Sequence, residues 1–268
     1  MTFPSFTLKV FTVFMLLFST TAFGETVLIS HDFGGLDSEN LNGKTATVFS
    51  SALTSAGGSD TWTASTAFKA NGDVTAGSSE SGAAALLGVG SYINDHMGTT
   101  DGIFSLTATL NPTSGGGANF LSLGYFTVPI DLDEDFASDA SSARATALTR
   151  VSSINAKEYY VGPGAAGSAE GTDGFGQRTY SIVLDFTPAS GYGTTNSGTI
   201  TFHSDKVGDT PSVLYFSSVQ SLTYIGITRD DDVAGNFSNF EFTQIPEPST
   251  FLLMVIAGMG LTVFLRRR

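Results

Sequence analysis

The chain has 268 residues, contains no cysteine and carries a formal net charge of −13 at pH 7. All 25 acidic residues but only 8 of the 12 basic residues fall between 25 and 248, so this body carries a formal charge of −17. Such an acidic surface disfavours nucleic acid and anionic lipid as partners, since both require cationic contacts. The absence of cysteine excludes thiol catalysis, thiolate metal sites and disulfides.

The N-terminus has the parts of a secretory signal peptide. A weakly basic start precedes an apolar run at 10–18, and Ala22 and Gly24 provide small residues at −3 and −1 for cleavage before Glu25. A run of this length is too short to span a bilayer as a helix, which disfavours an N-terminal membrane anchor. We therefore expect signal peptidase to remove residues 1–24 and to leave an exported chain.

Residues 25–244 have the composition of one all-β domain. Gly, Ser, Thr, Ala and Asn are abundant, whereas Lys, Glu, Leu and Met are scarce, which disfavours long helices. Segments bounded by Gly, Asn or Asp predict strands at 26–30, 44–50, 61–68, 103–110, 120–127, 158–161, 179–187, 198–203, 212–216, 221–228 and 237–243. Without a βαβ rhythm, these strands predict an antiparallel β-sandwich. Residues 138–148, rich in Ala and Ser, predict one helix.

Two aromatic patterns predict details of this sandwich. Phe237, Phe240 and Phe242 break the period of two, which predicts a β-bulge near Ser238 and Asn239. The sole tryptophan, Trp62, is predicted to pack in the core, with a sugar-stacking platform as the alternative. Tyrosines near predicted loops are the better candidates for sugar stacking, and the sequence does not choose among Tyr92, Tyr159, Tyr160 and Tyr192.

The C-terminus combines three elements. Pro246, Glu247 and Pro248 form a stiff, extended spacer, because each proline fixes φ and lacks an amide donor. An uncharged apolar stretch at 251–265 follows and predicts a transmembrane helix of about 23 Å, a marginal span for a bilayer. The chain then stops at three basic residues, which prefer the cytoplasmic side: Arg266, Arg267 and Arg268.

This arrangement over residues 245–268 resembles the PEP-CTERM sorting signal. The resemblance implies recognition by an exosortase-type membrane protease in a Gram-negative bacterium. It further implies an intermediate anchored transiently in the inner membrane, then delivery to the cell surface or an exopolysaccharide matrix. An ordinary single-span anchor is the alternative, and it leaves the body on the same side of the membrane.

The body also resembles the laminin-G-like, concanavalin-A-like jelly rolls. The resemblance is carried in order by segments 31–33, 41–43, 62–64, 104–107, 121–125, 180–184 and 235–241. It implies a fold that commonly binds glycans, often with a structural calcium ion, and that includes some glycanases. The usual Asp-Asp-Phe opening is His31-Asp32-Phe33 here, which removes one oxygen ligand.

Three groups of residues are candidate Ca²⁺ ligands, and a solvated acidic loop is the alternative for the first two. The first is a loop with alternating carboxylates at Asp131, Asp133 and Asp135, whose later positions do not match an EF-hand. The second is the run of like charges that includes Asp230 and Asp232. The third follows partly from the jelly-roll resemblance, which implies that the first and last strands are neighbours. Such pairing would bring Asp32 to Asn239 or Glu241.

No motif in the sequence predicts catalysis. The retaining glycanases of this fold use Glu-x-Asp-x-x-Glu, which is absent, and so is Gly-x-Ser-x-Gly. The Gly-x-Gly-x-x-Gly match at 162–167 runs into a flexible polar loop, so it is not a dinucleotide site. We therefore expect a non-enzymatic surface or matrix protein associated with glycan or exopolysaccharide. The alternatives are a purely structural surface or biofilm protein and a divergent glycan hydrolase.

Overall fold

The computed structural model describes residues 25–76, 82–114, 120–127, 145–152, 157–161, 165–170, 177–216, 218, 221–230 and 233–246. Several predicted features lie outside these residues: the signal peptide, the C-terminal helix, Asp131, Asp133, Asp135, Asp232, and the sorting residues Glu247, Pro248, Arg266, Arg267 and Arg268. In the part of the chain that the structure describes, no helix has the length and apolar character needed to cross a membrane.

Two antiparallel sheets pack face to face, which confirms the predicted all-β sandwich. The first sheet has the order β13-β12-β11-β6-β15-β1-β2, with β4 paired to β15. Its strands are β1 Thr26–His31, β2 Val48–Phe49, β4 Asp73–Val74, β6 Ile103–Pro112, β11 Arg178–Asp185, β12 Thr199–Ser204, β13 Ser212–Tyr215 and β15 Gly235–Ile245.

The second sheet has the order β10-β9-β8-β7-β14-β5-β3. Its strands are β3 Ser59–Ala64, β5 Ala83–Gly88, β7 Phe120–Phe126, β8 Ala145–Ser152, β9 Lys157–Val161, β10 Ala165–Glu170 and β14 Tyr224–Arg229. Two short helices connect strands, namely α1 Ser51–Ser55 and α2 Tyr92–His96. The Ser50 side chain caps α1 by accepting a hydrogen bond from the Ala52 amide, which satisfies one of the free donors at the helix start.

The inner faces of the two sheets form one continuous apolar core. Trp62 is 1% exposed and its ring lies 5.0 Å from that of Phe240, which confirms its predicted place in the core. The aromatic ring of Phe242 stacks on Phe104 of the neighbouring strand at 5.8 Å. These contacts tie β15 to β6 and to the opposite sheet, so the last strand is held at the centre of the sandwich.

The first and last strands of the sandwich pair with each other, as the jelly-roll resemblance implied. Strand β1 lies antiparallel to β15, with Thr26 opposite Gln244 and His31 opposite Phe240. The predicted β-bulge is also confirmed, because the register between β15 and β6 shifts between Ser238 and Glu241. The extra residue turns the strand so that Phe237 and Phe240 both reach the core despite their spacing of three.

The predicted helix at 138–148 is wrong where it can be compared. Its last residues belong to strand β8, while 138–144 lie outside the described residues. Ala147 and Val151 pack in the core, and β8 is paired on both sides, with β7 and β9. This pairing outweighs the helical preference of alanine. The predicted strand at 44–50 is likewise reduced to Val48–Phe49, because Ser50 begins a helix.

Candidate functional site

The outer face of the first sheet is rich in small hydroxyl side chains. Alternation along β6, β11 and β12 sends apolar residues inward and leaves Thr107, Ser181 and Thr201 facing outward, each half-buried. The hydroxyls of Thr107 and Ser181 lie 3.3 Å apart, within hydrogen-bond distance across the strands. Such hydroxyls both donate and accept hydrogen bonds, so this face is equipped for a polar ligand.

One cleft on this face, here called the bulge cleft, surrounds the β-bulge of β15. It has a volume of about 550 Å³ and is lined by Ser30, His31, Asp32, Phe33, Asn71, Thr107, Ser238, Asn239, Phe240 and Glu241. The structure therefore places Asp32, Asn239 and Glu241, which the sequence grouped as candidate Ca²⁺ ligands, along a single cleft. The pairing of β1 with β15 brings them together, since Ser30 lies directly opposite Glu241.

Asn239 is the described non-glycine residue with a left-handed backbone, at φ 52°. Side chains other than Asn, Asp and Gly rarely adopt this conformation, because Cβ crowds the following carbonyl. The bulge imposes it, and the Asn239 amide anchors the turn by donating to Thr109 Oγ1 at 3.1 Å. Backbone strain of this kind is frequently found at ligand sites.

His31 contributes no positive charge to the bulge cleft. Its ring packs edge-on against Phe33 at 4.4 Å and Trp62 at 5.7 Å, and the residue is 9% exposed. Burial lowers the pKa of His31 below its ordinary value, and the nearby Asp32 carboxylate opposes this shift only in part. The imidazole is therefore neutral at physiological pH, and the cleft presents carboxylate, amide and hydroxyl groups.

The described residues include only part of the predicted calcium ligands. There, no three His, Asp or Glu side chains converge closely enough to hold a metal ion. Asp230 is 2% exposed at the end of β14, and its amide donates to the carbonyl of Phe120. The other predicted acidic ligands, at 131–135 and 232, lie outside the described residues, so calcium binding stays a prediction.

A second cleft, here called the Tyr215 cleft, lies at the β13 edge of the same sheet. It has a volume of about 610 Å³ and is lined by Ser190, Thr195, Asn196, Ser197, Thr199, Tyr215 and Phe216. Tyr215 is 59% exposed, because it alternates with the inward-facing Leu214 and Phe216 on an edge strand. The cleft thus combines an open aromatic ring with hydroxyl and amide groups and has no carboxylate or cationic side chain in its lining.

A compact loop forms the wall opposite Tyr215. The loop begins with a 3-10 turn at Pro188–Ser190 and continues through Gly191, whose φ of 87° suits glycine. Asn196 secures the loop with its side chain, whose Nδ2 donates to Ser190 O at 2.7 Å while its Oδ1 accepts from Gly198 N at 2.8 Å. These contacts fix the wall, so the cleft is largely preformed.

The structure changes the ranking of aromatic candidates for sugar stacking. Tyr92 and Tyr159 are buried, at 8% and 0% exposure, and Tyr160 and Tyr192 are half-buried. Tyr215 was not among the predicted candidates, which all lie near predicted loops, because it belongs to a strand predicted at 212–216. The alternation of Val213 and Tyr215 against Leu214 was the available indication, but the sequence does not show that the strand lies at an edge.

The outer face of the second sheet is closed. There the Arg150 guanidinium lies between the rings of Phe120, at 4.1 Å, and Tyr160, at 4.3 Å, and pairs with Glu158. Burial, with the hydrogen bond to Glu158, raises the pKa of Tyr160 to about 12. Ala84, Leu86, Phe126 and Leu148 on this face are at most 3% exposed. Both clefts described above lie on the first sheet.

Comparison with known families identifies the tail. The family model described as the PEP-CTERM protein-sorting motif matches residues 244–268. The chain carries a PEP-CTERM motif. This motif implies export, processing by an exosortase, which is a membrane protease, and a membrane-anchored intermediate before surface display. No curated protein matches the chain.

Among solved structures, this chain is similar to the metal-free carbohydrate recognition domain of Emp46p, with 9% identity, a TM-score of 0.42, and coverage of 69% of this chain and 88% of that one. It is also similar to the carbohydrate-binding module CBM66 from Bacillus subtilis, with 14% identity, a TM-score of 0.38, and coverage of 68% and 94%. A carbohydrate esterase from the Shiga toxin-encoding bacteriophage phi24B gives 15% identity, a TM-score of 0.35, and coverage of 81% and 100%. Likenesses at these values carry no conclusion about function.

Proposed function

We propose that this chain is an exosortase-sorted surface protein whose β-sandwich binds neutral glycan of the cell surface or exopolysaccharide matrix without hydrolysing it. The observation that carries the proposal is the Tyr215 cleft. Its exposed phenol ring offers a flat apolar surface on which the C–H face of a sugar ring packs. The adjoining hydroxyls of Ser197 and Thr199 are placed to exchange hydrogen bonds with sugar hydroxyls.

Charge favours a neutral glycan over an acidic one. Neither Lys nor Arg lines the Tyr215 cleft, and the body between residues 25 and 248 carries a formal charge of −17. A uronate or sulfated polysaccharide would be repelled by this field and would find no cation to neutralise it. A neutral hexose polymer meets neither obstacle.

Binding without hydrolysis is the form of the proposal that fits the lining of the cleft. Glycoside hydrolysis requires two carboxyl groups on opposite sides of the scissile bond. The side chains around Tyr215 are hydroxyls, an amide and a phenyl ring, so they supply neither the acid nor the base. Two alternatives remain from the sequence, a purely structural displayed protein and a divergent hydrolase, and the following experiment distinguishes them.

The test is affinity electrophoresis and titration of the full chain, purified in mild detergent, against neutral polysaccharides and their acidic counterparts. We expect saturable binding to at least one neutral glycan, about tenfold weaker binding for Tyr215→Ala, and no change for Val207→Ala. Val207 is the control, since it is 99% exposed between β12 and β13 and lines neither cleft. Repeating the titration with Ca²⁺ and then with chelator tests the calcium prediction.

Each other outcome has a definite meaning. Binding that Tyr215→Ala leaves intact places the glycan elsewhere. Absence of binding to every glycan supports the alternative of a purely structural displayed protein. New reducing ends in the mixture support the hydrolase.

A further inference from the structure

The two clefts open on the same face of the first sheet. Tyr215 lies opposite Thr199 in the pairing of β13 with β12, and both side chains face outward. At the other end of the face, Glu241 lies opposite Thr107, which in turn lies opposite Ser181. The clefts therefore share one surface, and an extended ligand does not have to pass around a sheet edge to touch both.

The separation of the clefts follows from sheet geometry. Three strands lie between β13 and β15, so the lateral distance is four strand spacings, or about 19 Å. The row of paired residues that contains Glu241 and Ser181 also contains His203 on β12. Because His203 lies four residues from Thr199 along β12, the two clefts are also offset by about 13 Å in the strand direction. The diagonal is about 23 Å, a length that one or two sugar residues cannot span.

The surface between the clefts is here called the hydroxyl track. It consists of Thr201, Val183, Ser181 and Thr107, all half-buried. These four side chains are small and uncharged, so none of them projects far enough to obstruct a ligand that lies across the strands. Three of the four carry hydroxyl groups, which can form hydrogen bonds with the hydroxyl groups of a sugar chain.

The bulge cleft completes the track with stronger acceptors. Asp32 and Glu241 contribute carboxylates, and Asn71 and Asn239 contribute amides, to its lining. A carboxylate or an amide oxygen accepts from neighbouring sugar hydroxyls, and these bonds are strongest when the acceptor is ionised. The left-handed backbone holds Asn239 at the rim of the cleft, where its side chain is exposed.

We infer that one neutral polysaccharide chain crosses the outer face of the first sheet, from the Tyr215 cleft along the hydroxyl track to the bulge cleft. The inference rests on the proposed function and deepens it, because it names the ligand as an internal stretch of several sugars in a polymer. A protein that binds a single terminal sugar would need the Tyr215 cleft alone.

The test is a chain-length series, from disaccharide to octasaccharide and polymer, of the neutral glycan that binds the full chain. The variants are Tyr215→Ala, Glu241→Gln and Asn239→Gly, with Asp60→Asn as the control for a charge change on exposed β3. Asn239→Gly keeps the left-handed backbone, and thermal melting verifies that each variant is folded.

We expect affinity to rise at least about tenfold with length and to reach a plateau once the oligosaccharide spans both clefts. Glu241→Gln and Asn239→Gly should remove most of this gain, while Tyr215→Ala weakens every length and Asp60→Asn weakens none. Affinity that is independent of length, or polymer binding untouched by the bulge-cleft variants, overturns the inference and leaves the proposed function standing. Absence of binding to every neutral glycan overturns both.

Discussion

Lys157 Nζ lies 2.9 Å from Asp209 Oδ1, and this ion pair joins the two sheets. Lys157 belongs to β9 of the second sheet, while Asp209 lies between β12 and β13 of the first. The side chains are only 2% and 7% exposed, and Asp209 also accepts hydrogen bonds from the amide and hydroxyl of Ser204. Both charges are thus removed from water and compensated by each other and by Ser204.

Removing one partner of this pair should strongly destabilise the protein. We expect Asp209→Asn to lower the free energy of unfolding by about 3–5 kcal/mol, because Lys157 is left as a buried, uncompensated cation. Urea denaturation of the variant and the wild type measures the difference. Asp205→Asn is the matched control, since Asp205 is exposed and close by in sequence. Equal losses in the two variants would show that the pair has no special role.

The same pair should make stability depend on acidic pH. Burial raises the pKa of Asp209, but hydrogen bonds from Lys157 and Ser204 outweigh burial, so the pKa is lowered from its ordinary 3.8. A carboxyl group with a depressed folded-state pKa contributes stability that is complete above its unfolded pKa and is lost as pH falls through the folded value. The difference in unfolding free energy between wild type and Asp209→Asn should therefore be constant above about pH 5 and shrink below pH 3.8. A difference that persists unchanged to pH 2 would contradict this account.

The bulge of β15 should tolerate glycine but not a branched side chain at position 239. We expect Asn239→Val to lower the free energy of unfolding by about 1–2 kcal/mol, since valine is strained in the left-handed region. Asn239→Gly should cost less, although it loses the hydrogen bond to Thr109. Denaturant melts of both variants provide the comparison. Both variants lose the hydrogen bond to Thr109, so a larger loss for glycine than for valine would contradict backbone strain as the reason for asparagine at this position.

The wall of the Tyr215 cleft should be sensitive to a single methyl group. A Cβ at Gly191 would overlap Thr195 Oγ1, and the backbone there has a φ of 87°. Gly191→Ala should therefore displace the loop and weaken glycan binding about tenfold, while the core stays folded. Titration with the glycan and near-UV circular dichroism report the two properties separately. Gly193→Ala is the control, because a Cβ there meets no atom within 4 Å and the φ of 74° imposes similar strain.

The tail should be required for sorting and dispensable for folding. The PEP-CTERM motif matches 244–268, whereas β15 ends at Ile245. Replacing Pro246 and Pro248 by alanine should leave the chain in the membrane fraction with its tail uncleaved, because the extended spacer is lost. Mass spectrometry of the membrane-bound and released protein measures cleavage. Release of this variant at the normal rate would refute a role of the prolines in recognition.

Local sequence patterns were sufficient for several features of this protein. The alternation of phenylalanines around Ser238 and Asn239 predicted the bulge, and the surroundings of Trp62 predicted its burial. Each of these features depends on residues close together in the chain, where side-chain period and covalent geometry act directly. The sorting tail is the clearest case, since its spacer, apolar stretch and terminal arginines are contiguous.

Other features depend on strand neighbours that no local pattern reveals. Strand β5, Ala83–Gly88, was missed because a run of Ala and Leu takes its structure from the strands that pair with it. The helix predicted at 138–148 failed for the same reason.

The sequence by itself determined the sorting motif of the tail, the sandwich class and the acidic character of the body. Only the tertiary structure decided which side chains line the two clefts. Tyr215 is exposed on β13 at a sheet edge, and Asp32 and Glu241 line one cleft because the first and last strands pair. The physical reason is that side-chain period is set within a few residues, whereas strand order and edge position are set by burial of the whole core.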